Sequence, residues 1–150
     1  MDPAQRQKQT VAACRSAMPE FLDPLWQTVL HAPNVAFDPV RDALREGIPA
    51  PRARLSAVLA WLGHADGDCP VCWMFTGKLV YTFEEPVRLL AEVLSAAPGA
   101  RVRAGASLFV RTQLSPRHAL GAGLSRERLE ALRAEVRALP AALRTELGLR

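Results

Sequence analysis

The sequence predicts a helix-dominated α+β fold: four N-terminal helices, a small β-element of one hairpin plus one strand, and two or three C-terminal helices. Three observations carry this reading. Apolar residues recur at three- and four-residue spacing over most of the chain, proline opens several of these segments, and the periodicity breaks down into short apolar runs near residues 72–83 and 106–112. At 150 residues, with 49% hydrophobic and 23% charged residues, the chain has the size and composition of a single globular domain, 1–150. No run approaches ~18 apolar residues, so no membrane segment is expected. The polar start Met1-Asp2-Pro3-Ala4-Gln5 lacks the basic-then-apolar layout of a signal peptide. A cytoplasmic location is therefore expected.

Residues 3–17 interleave Ala and Val with Gln, Arg and Lys and read as the first helix. Pro19 is suited to open a second, running to about His31, because its missing N–H has no partner in a first turn. Asp38 is an N-cap residue followed by Pro39, which predicts a short helix over 39–46 closed by Gly47. Residues 52–63 form a fourth helix with Leu55, Val58, Leu59 and Leu62 inside and Trp61 partly inside. After the turn Ala65-Asp66-Gly67-Asp68, the segments Cys72–Phe75 and Leu79–Phe83 flank Thr76-Gly77-Lys78 and read as a hairpin. The competing reading is one helix from Pro70 that Gly77 interrupts. Glu84-Glu85-Pro86 opens a helix with acids at its positive end, and Pro98-Gly99 stops it. Residues 106–112 read as a strand. Ser125 caps a last helix whose Leu129, Leu132, Val136 and Leu139 form an apolar stripe, with a kink or restart at Pro140.

Chemistry concentrates in Cys69-Pro70-Val71-Cys72. Two thiolates two residues apart can bind one metal ion, and the intervening Pro preshapes the turn that aims both sulfurs at one point. His64, five residues upstream, is a candidate third ligand, and Cys14, His31 or His118 a fourth. The ligand set carried forward is Cys69, Cys72, His64 and Cys14, with zinc as the ion. A lone CxxC is also consistent with cysteines that act only as small apolar residues. Three cysteines, an odd count, argue against a disulfide framework.

The four residues Cys-Pro-x-Cys resemble the redox motif of glutaredoxin-like and DsbA-like thioredoxin folds, which implies a thiol oxidoreductase. Those folds place a buried strand directly before the motif, whereas here a helix and an acidic turn precede it. Nearby carboxylates also raise a thiol pKa instead of lowering it. A zinc deaminase needs His-x-Glu and then Pro-Cys-x-x-Cys. This chain has His64-Ala65-Asp66, and its Pro70 lies inside the cysteine pair. That reading is set aside.

The formal charge of +4 is uneven: residues 101–150 hold ten Arg and four Glu, a net of +6, while residues 1–100 carry a net of −2. A basic third suits nucleic acid or an acidic protein, and Arg126, Arg133 and Arg137 fall near one side of the last helix. Interspersed Glu127, Glu130 and Glu135 are equally the pattern of a solvated helix face. Seventeen Arg against two Lys is also what GC-rich codon usage produces. The leucine stripe from Leu129 to Leu147 suits either a homodimer seam or packing on the chain's own core.

The expected function is thus a small cytoplasmic binding or regulatory protein with a zinc-type Cys/His site and a basic C-terminal third. Two alternatives stand beside it: an enzyme built on the cysteine pair, and a metal-free helical protein-interaction module. No catalytic residues are nominated.

Overall fold

The computed structural model describes residues 2–26, 42, 45–48, 50–64, 69, 71–72, 76, 83–111 and 125–149. Among them the structure is helical and contains no strand. The order is α1 (Pro3–Ala17), a 3-10 helix (Glu20–Leu25), α2 (Pro51–Leu62), α3 (Pro86–Ser95), α4 (Ala100–Phe109), α5 (Arg126–Ala138) and α6 (Ala141–Glu146). Among the described residues, no helix is long and apolar enough to cross a membrane.

Start signals account for most of these elements. Pro occupies the first turn of α1, α2 and α3, where an amide has no intrahelical partner to lose. The Asp2 carboxylate accepts from the Ala4 amide and caps α1. The Ser125 hydroxyl accepts from the Arg128 amide at 3.1 Å and caps α5. The α3 terminus is capped from a distance: Glu135 on α5 accepts from the Arg88 amide at 3.2 Å. Arg128 donates to the carbonyls of Phe83 and Glu84 at 2.7 and 2.8 Å, fixing the entry to α3 against α5.

Helix α2 lies at the centre and packs on α1, α3 and α4, while α5 packs on α3. Leu55, Leu59, Trp61, Leu62, Leu90, Leu108, Phe109 and Leu132 are fully buried. Each such Leu contributes about 1.5–3 kcal/mol relative to an exposed position. Helices α2 and α4 meet backbone to backbone. A Cβ built on Gly105 would overlap the Leu59 carbonyl, and one on Gly63 would overlap the Arg101 carbonyl. Only glycine permits that approach.

The α+β expectation is overturned. The strand expected at 106–112 is the end of α4, which runs from Ala100 to Phe109 and continues as helix through Arg111. Leu108, Phe109 and Val110 are all buried, and a continuous apolar run has no period to separate strand from helix. Of the expected hairpin, Cys72 and Thr76 are helical, and most of the rest lies outside the described residues. The four N-terminal helices are likewise not supported as drawn. The segment after Pro19 is a 3-10 helix over Glu20–Leu25, and its continuation to His31 lies outside the described residues. Only residues 42 and 45–47 of the expected third helix are described, and they are helical. The C-terminal stripe packs inward: Leu129, Leu132 and Leu139 are buried and Val136 is partly so.

Candidate metal centre

Three separate segments supply the site. Cys14 lies near the C-terminal end of α1 and is completely buried. The Gly63 amide closes α2 on the Leu59 carbonyl at 2.9 Å, and the His64 amide donates to the Trp61 carbonyl at 3.0 Å, so His64 sits one step past the helix end. Cys69 and Cys72, also completely buried, come from the following segment, and Cys72 is already helical. Between α1 and α2, the Trp61 indole Nε1 donates to the Cys14 carbonyl at 3.0 Å.

One ligand atom from each of Cys14, His64, Cys69 and Cys72 lies within 4.8 Å of every other. The Sγ atoms of Cys14 and Cys72 are 3.6 Å apart, and His64 Nε2 is 3.1 Å from Cys72 Sγ. Zinc–sulfur bonds of about 2.3 Å in a tetrahedron place sulfurs about 3.8 Å apart. The spacing is that of one ion's coordination shell. A polynuclear iron–sulfur cluster spreads its thiolates over several irons and needs a wider cradle. All three thiols are free.

The electrostatics point the same way. The Cys14 and Cys72 thiols hydrogen-bond to Cys69 and hold its pKa far below that of an ordinary thiol. That arrangement, followed by burial, pushes Cys14 up to about 12. Cys72 is pushed up by its two thiol neighbours and by burial. The three thiols thus compete for protons, and a cation among the sulfurs would favour their thiolate forms. His64 Nδ1 is buried without a hydrogen-bond partner among the described residues, so Nε2 is the ring nitrogen that faces the thiols.

Of the residues nominated from sequence, the structure brings together Cys14, His64, Cys69 and Cys72; His31 and His118 lie outside the described residues. Arg126, Arg133 and Arg137 lie on α5, away from this cluster. All three are exposed, and Arg133 is paired with Glu130 at 3.2 Å. Elsewhere in the basic third, Arg103 is paired with Glu146 at 2.7 Å and Arg128 is bound to carbonyls. The supporting role of Trp61 was not read from the sequence, where it is one more apolar position on a helix. Its NH group, needing an acceptor when buried, was the available signal.

Comparison of the chain with known protein families, curated proteins and solved structures finds no match to any of them.

Proposed function

We propose that the chain binds one zinc ion through Cys14, His64, Cys69 and Cys72, and that the ion is structural. The carrying observation is that four ligand atoms from three segments fall within 4.8 Å of one another, with every cysteine buried. Four protein ligands complete a tetrahedral zinc and leave no open position for a substrate, which is the arrangement of a structural site. The ion would join the end of α1 to the end of α2 and to residues 69–72. With three thiolates and a neutral imidazole, the ion would replace competing thiol protons and leave a single unit of net charge −1. A thiol-exchange role fits less well, because an attacking thiolate needs partial exposure and these three cysteines have none.

The role built on this centre is that of a small binding protein in which the metal sets the shape. The basic third does not sharpen the partner, since Arg103, Arg128 and Arg133 are engaged within the chain.

Metal analysis of untagged protein purified without chelator tests the reading. One zinc per chain is expected. Cys14→Ser, Cys69→Ser and Cys72→Ser should each lower occupancy, and a strong chelator should lower the melting temperature, with zinc restoring it. Protein that carries no metal and melts identically with and without added zinc would refute the assignment.

A further inference from the structure

Arg54, at the other end of α2 from His64, is 7% exposed, and its Nε and Nη1 have no hydrogen-bond partner among the described residues. Arg54 lies roughly 12 Å along the helix from Leu62, where α2 ends before His64, so this feature is separate from the metal centre. Its guanidinium lies over the Phe83 ring, 5.4 Å from the centroid, and contributes to the wall of a cleft of about 630 Å³.

We propose that this cleft binds a small-molecule oxyanion, a carboxylate or a phosphate, which takes its hydrogen bonds from Arg54. A buried cation whose N–H groups lack acceptors is unfavourable even above an aromatic ring, and an Arg does not escape by losing its proton. Burial, and then the like charge of Arg45, act against the guanidinium's charge.

The neighbouring ions define where the anion goes. Arg52 is held by Glu92 at 3.2 Å, and Arg88 by Glu85 at 3.2 Å. These pairs occupy Glu92 and Glu85; Glu84 is the third acid on the cleft lining. Arg54 and Arg45 remain without an ion pair among the described residues, both on the cleft wall. Phe83 and Leu89 give the same cleft an apolar side. A volume near 630 Å³ is that of a small-molecule site. The favoured ligand therefore carries one oxyanion group on a compact apolar body.

Calorimetric titration of the full chain with inorganic phosphate and with benzoate tests this. Saturable binding of at least one probe is expected, and the better probe identifies the anion class. Arg54→Met should weaken it by about tenfold or more, the loss expected for a charge-assisted hydrogen bond. In the absence of probe Arg54→Met should melt no lower than the parent, because it removes an unpaired buried charge. Exposed Arg45→Gln, which leaves the core untouched, should weaken binding severalfold and keeps the test open if Arg54→Met fails to fold. Failure of both probes to bind, or unchanged affinity in the variants, would overturn the proposal.

Discussion

The Trp61 indole donates a 3.0 Å hydrogen bond to the carbonyl of Cys14. This carbonyl belongs to the last turn of α1, where carbonyls run out of amide partners; the Met18 amide that would have served it bonds to Arg15 instead. One side chain of α2 therefore closes the end of α1 and fixes the backbone of a candidate ligand.

Trp61→Phe keeps an aromatic ring in the core but removes the donor. It should cost about 1–3 kcal/mol, the penalty for a buried acceptor left unmade. A partner that orients a metal ligand also sets affinity, so zinc binding should weaken by about tenfold. Denaturation with and without zinc separates the two effects. Equal losses in both conditions would show that the bond supports only the helix junction.

The close approach of α2 and α4 gives a second expectation. Gly105→Ala places a methyl against the Leu59 carbonyl, a backbone atom that cannot move without shifting the helix. The cost should be about 2 kcal/mol or more. Gly99→Ala is the control, since nothing lies within 4 Å of its added Cβ. As the N-cap of α4 it should cost less than about 1 kcal/mol. Urea denaturation of both variants checks the contrast, and equal losses would argue against backbone contact at Gly105.

Helix starts were readable where their causes are local: Pro86 and Ser125 act within a few residues of themselves. Helix α4 was not. The side that meets α2 is made of Gly105 and Ala106, which leave no apolar stripe, and what remains visible is the run Leu108-Phe109-Val110. Its helical state is decided by packing on α2. The site divides the same way. The spacing of His64, Cys69 and Cys72 is local, whereas Cys14, on a mostly polar helix, joins them only through the α1–α2 contact. Arg54 had a signal that went unread: with Val58 and Trp61 it steps by four and three, which puts a charged residue on the buried face of α2.

Glu135 supplies a pH-dependent test of the α3–α5 junction. Burial raises its pKa above the ordinary carboxylate value of 4.5, against the lowering effects of the Arg88 amide and Arg128. The folded chain therefore holds this proton more tightly than the unfolded chain. The stability this contributes is present below the unfolded pKa and is lost as pH rises through the folded one. At pH 7 the ionised carboxylate stands partly desolvated. Gln is neutral throughout and keeps an oxygen that can accept from the Arg88 amide, now 3.2 Å from Oε1. Glu135→Gln should accordingly be more stable than the parent at pH 7, by less than about 1 kcal/mol for a partly exposed group. The advantage should shrink as pH falls and vanish once the parent's carboxyl is protonated in both states. Urea denaturation at pH 7 and near pH 4 reads this out. A difference that stays constant over the range would place the effect in packing, and a less stable variant at pH 7 would show that the carboxylate's charge at the α3 terminus outweighs its desolvation.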